Sequence, residues 1–257
     1  MSWKDSRWTG VAVLLALGLL WEAAGRGAWV HKVLLPPLSA VLGTLYDIVA
    51  SGEIVRHLAV SLWRAAAGYA AAAVLGIALG IAMGYWRRAY QAAEITIELL
   101  RAIPPPAVIP LAMVFLGIGD ALKVFVIFFA CLFPILVNTI DGVRSAEPVL
   151  IRTARTFRLS QMRTVWKVII PIAAPTIMTG LRIATAIALI LTVISEMIGA
   201  TSGIGYFILG SQRTLHVTQM YAGILVLALT GYAINRLFVL IDERVMSWHK
   251  GLTRRET

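Results

Sequence analysis

Apolar runs of about 20 residues recur along this chain, and they limit its fold more strongly than any other feature of the sequence. A helix of that length crosses the roughly 30 Å of hydrocarbon in a lipid bilayer. Hydrophobic residues make up 59% of the 257 residues and charged residues 14%, against about a quarter charged in an ordinary soluble domain. One compact core could not bury so much apolar surface. The sequence therefore predicts an all-α membrane protein.

The runs predict six transmembrane helices within a single membrane domain, residues 1–257. They lie at about 9–29, 62–84, 99–118, 121–141, 177–199 and 219–241. Most of the 23 lysines and arginines fall in the segments on the same side as the N-terminus, which include the loop 142–175. Basic residues concentrate in cytoplasmic loops, so both termini and this loop are expected to face the cytoplasm. The net charge of +10 then reflects topology and not binding to nucleic acid.

Two of the predicted spans carry unusual residues. Small residues recur every fourth position in the second span: Gly68, Ala72, Gly76, Gly80 and Gly84. Such a ridge lets another helix approach closely, and we expect that helix to belong to the same chain, with a seam between two copies as the alternative. The third span begins RAIPPPAVIP (101–110), which delays a regular helix to about Pro106. Because irregular backbone in a membrane needs protein or water around it, this span is expected to line a cavity or another part of the protein.

Motifs for chemistry are missing from the sequence. It contains no GxxxxGK[ST] phosphate loop, its four histidines are scattered, and its one cysteine, Cys131, lies in an apolar run. These observations give no support to a catalytic role, a metal site or a bound cofactor. A transport or binding role remains.

The stretch IRTARTFRLSQMRTVWKVIIP (151–171) holds four arginines and a lysine but no acid. In its first part, Leu150, Ala154 and Phe157 share one helical face, and Arg152, Arg155 and Arg158 share the opposite face. A second apolar stripe over 160–170 does not lie on the same face of a continuous helix as the first. A break in the helix near Leu159–Ser160 would let each part have its own apolar face. We therefore expect two short amphipathic helices in this loop, the second of them ended by Pro171 and Pro175.

A structured loop of this length usually has a function. It could dock a soluble partner, or it could rest on anionic lipid headgroups and serve topology alone. The candidate docking residues are Arg152, Ala154, Arg155, Phe157, Arg158, Leu159 and Ser160.

Polar residues in the fifth span predict a solute pathway. Arg182, Thr185, Thr192 and Glu196 share a helical face, and Asn138 is a weaker candidate in the fourth span. Ionisable residues inside spans usually face a bundle interior or a cavity. Arg182 and Glu196 lie near the span ends, however, so either could instead reach an interface.

The loop resembles the permease subunits of bacterial ABC importers, specifically the nitrate, sulfonate and taurine group of binding-protein-dependent systems. That family's loop follows EAA-x3-G-x9-I-x-L-P, and the matching letters here are Arg152, Thr153, Ala154, Arg158, Val168, Ile170 and Pro171. The likeness extends along the chain through LPPLSAVL (35–42), LRAIPPPAVIPL (100–111), FPILVNT (133–139) and SEMIGATSGIGY (195–206).

Two positions depart from the family pattern. Arg152 replaces its glutamate and Arg158 replaces its turn glycine. Glycine permits a positive φ at a bend, so arginine must either bend differently or accept strain of about 1 kcal/mol or more.

The resemblance implies a permease of the bacterial inner membrane that forms a homodimer. Two copies of a cytoplasmic ABC ATPase would drive alternating access, and a periplasmic or lipid-anchored solute-binding protein would deliver a small anion such as a sulfonate or nitrate. A secondary transporter or an integral membrane enzyme is the alternative, although the first would need several buried carboxylates and the second a polar cluster at one interface.

Overall fold

The computed structural model of the protein describes residues 3–27 and 34–246, and every regular element in this part of the chain is a helix. The elements are α1 (Trp3–Arg26), α2 (Leu38–Ala50), α3 (Glu53–Tyr85), α4 (Arg87–Arg101), α5 (Pro105–Leu116), α6 (Asp120–Arg144), α7 (Pro148–Thr156), α8 (Gln161–Thr164), a π turn (Val165–Ile169), α9 (Ile170–Met197), α10 (Ile204–Arg213) and α11 (Val217–Val245).

Among the described residues, five helices are long and apolar enough to cross a membrane, and the bent pair α4–α5 makes a sixth if it counts as one span. The prediction of an all-α membrane protein with about six spans is therefore confirmed. The exact span limits and the single domain stay predictions, and residues 28–29 of the first predicted span lie outside the described residues. So do residues 247–257, whose basic side chains contributed to the predicted topology.

The chain divides into two compact units. The first comprises residues 1–60 and 201–229, and the second comprises residues 61–200 and 230–257. In the first unit, α2, the start of α3 and α10 bury an apolar cluster that includes Val41, Ile54 and Phe207. The imidazole of His57 accepts a hydrogen bond from the backbone N–H of Gly203 (3.0 Å), which fixes the start of α10.

In the second unit, the glycine ridge of α3 lies against α6. A Cβ atom added at Gly68, Gly80 or Gly84 would lie 2.5–2.7 Å from a side chain of α6. The α6 residues met in this way are Ile127, Thr139 and Val143, and Ile135 lies opposite Gly76. Glycine is thus required for the contact, because any larger residue would push the helices apart. The prediction that the ridge packs within the chain is confirmed.

Helix α6 is also close to α9 on another side. A Cβ added at Gly142 would lie 2.9 Å from the backbone oxygen of Ala173, and one at Gly180 would lie 2.7 Å from the Cβ of Asn138. Side chains of α6 such as Val126, Ile127 and Ile135 are completely buried. Helix α6 is therefore the centre of the second unit.

The third predicted span is broken, as its prolines predict. Helix α4 ends at Arg101, α5 begins at Pro105, and the two helices are bent by 96° at the break. Proline fits the first turn of a helix because its missing N–H has no helical partner there.

The loop before α9 differs from the sequence expectation. Residues 161–197 form one helix with a π turn at Val165–Ile169, so Pro171 and Pro175 do not end the second amphipathic helix. Pro171 cannot donate the hydrogen bond that Lys167 would receive in an α-helix, and the wider π turn just before it absorbs this mismatch. The expectation that these prolines stop the helix was wrong.

Candidate functional site

The segment 148–164, called the basic segment below, contains the candidate docking residues. Its first helix, α7, begins at Pro148, a residue suited to the first helical position. Ala154 is buried and Leu159 is half-buried, whereas the three arginines of α7 and its end point into solvent. These exposed residues are Arg152, Arg155 and Arg158.

The end of α7 has the hydrogen-bond pattern of a Schellman motif. The N–H of Leu159 bonds to the oxygen of Ala154 (3.1 Å), and the N–H of Arg158 bonds to the oxygen of Arg155 (2.8 Å). Arg158 takes φ = 53°, the left-handed conformation that this motif normally gives to glycine. The chain therefore does not bend differently to accommodate the arginine. Arg158 instead adopts the strained backbone conformation, which costs about 1 kcal/mol.

The next helix begins directly after this bend. Ser160 is its N-cap, and its hydroxyl oxygen accepts a hydrogen bond from the N–H of Arg163 (3.4 Å). The hydroxyl of Thr164 donates to the oxygen of Ser160 (3.1 Å). The expected break near Leu159–Ser160 is confirmed, because a left-handed residue followed by an N-cap turns the chain within a few residues.

Large apolar side chains of this region are exposed beside the arginines. Phe157 is 77% exposed, Met162 is 67% exposed and Trp166 is 65% exposed. Apolar surface next to cations is typical of an interaction site on a protein or a membrane. The basic segment and the neighbouring Trp166 thus expose apolar and basic side chains side by side, and their docking role stays a prediction.

A group of charged residues is buried at the other end of α9. Arg64 of α3 is only 4% exposed and lies between two carboxylates. Its Nη1 donates to Glu196 Oε1 (2.9 Å), and its Nη2 and Nε donate to Asp120 Oδ1 (2.6 and 2.8 Å). The hydroxyl of Ser61 reaches both oxygens of Glu196 (2.8 and 2.9 Å). Lys123, also buried, donates to the backbone oxygen of Ile118.

We call these five residues, Ser61, Arg64, Asp120, Lys123 and Glu196, the charge cluster. It contains two cations and two anions, so its formal charges balance. Its hydrogen bonds join α3, α6 and α9. Buried charges are tolerated when they are paired and hydrogen-bonded, and the buried pair Arg64–Glu196 satisfies that requirement.

Sequence reasoning missed most of the charge cluster. It singled out Glu196 alone, as a pathway residue, and the structure places that residue 1% exposed against Arg64 and Ser61. The available signal was an arginine inside the second apolar run, since such a residue needs a partner from another span. The sequence could not show which span supplies it.

The other predicted pathway residues have separate surroundings. Thr192 is buried and bonds to its own helix at the oxygen of Ala188 (2.7 Å), and Arg182 is exposed. Thr185 and Asn138 line two different cavities. The structure does not bring the five residues together in one place, and their role in a pathway stays a prediction. Among the described residues, no group of three or more His, Cys, Asp or Glu side chains could hold a metal ion.

Comparisons with known proteins agree with the architecture. Residues 72–247 match the family described as "Binding-protein-dependent transport system inner membrane component". An aliphatic sulfonates transport permease of Bacillus subtilis is 30% identical over 92% of this chain and 85% of the relative. The taurine transport system permease of Escherichia coli is 32% identical over 96% of this chain and 92% of the relative.

Two further matches add a different solute and a solved fold. The nitrate import permease of Leptolyngbya laminosa is 34% identical over 74% of this chain and 68% of the relative. An inward-facing structure of the MetNI methionine ABC transporter superposes with a TM-score of 0.64, covering 74% of this chain and 95% of that chain. At 20% identity this last match shows the fold alone.

Proposed function

The chain belongs to the family of binding-protein-dependent transport system inner membrane components, and from this premise we propose that it carries a small anion, such as a sulfonate or nitrate, through a homodimeric pathway. The chain is the permease subunit of an ABC importer, a multi-pass protein of the inner membrane. It is a transport subunit and not an enzyme. Family members work as dimers with an ATPase and a substrate-binding protein.

The exposed basic segment is the basis for our proposal of how ATP hydrolysis is coupled to transport. Phe157, Met162 and Trp166 expose apolar surface at the position of the family's loop motif, beside Arg152 and Arg155. We assign this surface to two copies of a cytoplasmic ABC ATPase, one for each permease. ATP-driven closure of the ATPase pair would pull the two basic segments together and switch the pathway between its outward and inward openings.

The proposed solute class rests on the relatives and on charge. The relatives are named for aliphatic sulfonates, taurine and nitrate, all of which carry oxyanions. A solute-binding protein outside the membrane would supply most of the selectivity, and the pathway would accept what that protein releases. Arg182, Thr185, Thr192, Glu196 and Asn138 remain the proposed pathway residues.

Co-purification tests the central proposal. The tagged permease is expressed together with an ABC ATPase subunit from the same cell, extracted in detergent and captured. The ATPase should be retained in a one-to-one ratio, and the permease alone should hydrolyse no ATP. A permease that transports a sulfonate in proteoliposomes without any ATPase would contradict the proposal and support a secondary transporter.

The proposed orientation places both termini and the basic segment in the cytoplasm. Gln161→Cys in a Cys131→Ala background puts a thiol at an exposed position of the basic segment. An impermeant thiol reagent added to intact cells should leave it unmodified, and the same reagent should label it after the membrane is opened. Labelling in intact cells would reverse the topology.

A further inference from the structure

The break between α4 and α5 lies beside the middle of α6. Before the break, Ile97 of α4 packs with Leu136 and Ile140, and after it Ile109 of α5 packs with the first half of α6. The connecting residues 102–104 are not helical. Within a membrane such backbone is tolerated where it borders protein or a water-filled cavity, and broken helices in transporters often mark solute sites.

A cavity of about 570 Å³ opens at this break. Its volume falls within the range of roughly 300–1,000 Å³ that small-molecule sites occupy. One wall comes from the end of α4 and the start of α5, and the other comes from α6. The cavity has polar groups on both walls and two aromatic rings, so it differs from an unfilled packing gap, which would be apolar.

Arg101 supplies the positive charge of the first wall. Its Nε and Nη2 donate to Glu98 Oε2 (3.0 and 2.6 Å), and both side chains are about half exposed, at 46% and 53%. An exposed pair of this kind is weak, so an anionic solute can compete with Glu98 for Arg101. The guanidinium fork matches the geometry of an oxyanion.

Asn138 is held in place on the second wall. Its Nδ2 donates to the oxygen of Pro134 (2.8 Å), and α9 approaches so closely that a Cβ at Gly180 would lie 2.7 Å from the Cβ of Asn138. Asn138 lines the cavity together with Ala130 and Pro134, so this wall offers the amide of Asn138 to a solute.

Two phenylalanines complete the second wall. Phe129 and Phe133 line the cavity with their rings 5.3 Å apart in an edge-to-face arrangement. They offer an apolar surface to the body of a solute whose charged group lies at Arg101. A bare inorganic anion would leave this surface unused.

We propose that this cavity is a solute-holding site inside the permease, which binds a small organic oxyanion with a short alkyl body. Arg101 binds the oxyanion, the Asn138 amide donates to its oxygens, and Phe129 and Phe133 contact its alkyl part. The inference rests on the proposed function, in which the chain carries a small anion. It adds the place in the membrane domain where that anion is held.

The test measures binding of radiolabelled ethanesulfonate to the purified permease–ATPase complex by equilibrium dialysis, with the solute-binding protein left out. Arg101→Gln should weaken binding at least tenfold, which corresponds to about 1.4 kcal/mol. Arg101→Lys, which keeps the charge but loses the fork, should lie between Arg101→Gln and the wild type. The matched control is Arg88→Gln, an exposed arginine of the same helix that does not line the cavity, and it should bind like the wild type.

Further measurements separate this inference from the proposed function. Each variant must retain the ATPase on capture, and Phe133→Ala should weaken binding of ethanesulfonate more than it weakens competition by nitrate. If the wild-type complex binds and transports ethanesulfonate, and the Arg101→Gln variant binds and transports it equally well, the proposed site is wrong while the proposed function stands. A wild-type transporter complete with its binding protein that moves neither ethanesulfonate, taurine nor nitrate would overturn the proposed function.

Discussion

The charge cluster and the basic segment are both rich in charge, yet they handle it in opposite ways. In the charge cluster Arg64 and Glu196 are almost completely buried and bonded to each other. In the basic segment Arg152 and Arg155 are exposed, and so is the aromatic ring of Phe157. The cluster finds its partners within the chain, whereas the basic segment exposes its arginines and its phenylalanine to solvent, where we propose that the ATPase docks.

The difference between the two regions is one of solvation. Removing one member of a buried ion pair leaves the other charge without water or a partner, which costs several kcal/mol. An exposed charge keeps its water, so its loss changes little within the chain. Substitutions in the cluster should therefore damage folding, and substitutions in the basic segment should damage association.

The largest effect is expected for Arg64→Met. It leaves the Glu196 carboxylate buried with Ser61 and should lower the free energy of unfolding by about 3–5 kcal/mol. Cys131, the only cysteine and a buried one, reports unfolding when it reacts with a fluorogenic thiol dye during heating. The reaction should begin at a clearly lower temperature than in the wild type.

A double variant sharpens this prediction. Arg64→Met with Glu196→Met removes the buried ion pair as a whole and should be more stable than Arg64→Met alone, because Glu196 is no longer left without its cation and the charges of Lys123 and Asp120 still balance. Asp120 tolerates the loss of its partner, since its side chain is 63% exposed. Equal damage in the single and double variants would show that side-chain volume, and not charge pairing, governs this region.

The next effect is expected for Phe157→Ala in the basic segment. Aromatic anchors dominate many interfaces, so this variant should weaken binding of the ATPase by about 2 kcal/mol, roughly thirtyfold. Its unfolding temperature should stay that of the wild type, because Phe157 is mostly exposed.

Leu215→Ala is the matched control for Phe157→Ala. Leu215 is another exposed apolar residue, 74% exposed, in the turn before α11, and its loss should leave ATPase binding unchanged. If Phe157→Ala instead lowered the affinity for anionic vesicles and left ATPase binding intact, the basic segment would be a headgroup-binding element.

A smaller and opposite effect is expected for Arg158→Gly. Glycine adopts φ = 53° without the penalty that arginine meets there, so the end of α7 should gain about 1 kcal/mol. The Leu159 amide, which bonds to the Ala154 oxygen, should exchange its hydrogen several times more slowly. Arg158→Ala is the control for charge, because alanine is no better than arginine at positive φ. Slower exchange in both variants would assign the effect to charge.

The smallest effect is expected for Arg155→Ala. An exposed charge at the rim of an interface contributes about 0.2–1 kcal/mol, mainly through the rate of association. The loss of ATPase affinity should be a few-fold at low salt and should shrink at high salt, where charges are screened. A loss as large as that of Phe157→Ala, and independent of salt, would place Arg155 in the interface core.

Local patterns in the sequence predicted local structure well. The four-residue period of glycine in α3 predicted close packing within the chain, and the prolines at 104–106 predicted the break before α5. The break rests on sterics between neighbouring residues, and the glycine spacing creates a smooth helix face without showing that α6 is the helix that meets it. The same rule failed at Pro171, where the π turn let the helix continue. A π turn contains one residue more than an α-helical turn. Whether a helix forms one depends on its packing against other helices, which no local pattern in the sequence records.

By itself, the sequence determined that this protein lies in a membrane, that it is helical, and that the chain turns near Leu159–Ser160. The length of the apolar runs, their low charge and the mismatch between the two amphipathic stripes fix these properties through local physics. Only the tertiary structure decided that Arg64 meets Asp120 and Glu196, 56 and 132 residues away along the chain. It also decided that Arg101 and Asn138 face one cavity. Such contacts form between helices that are distant in sequence, and the choice of partner depends on how whole helix surfaces fit together.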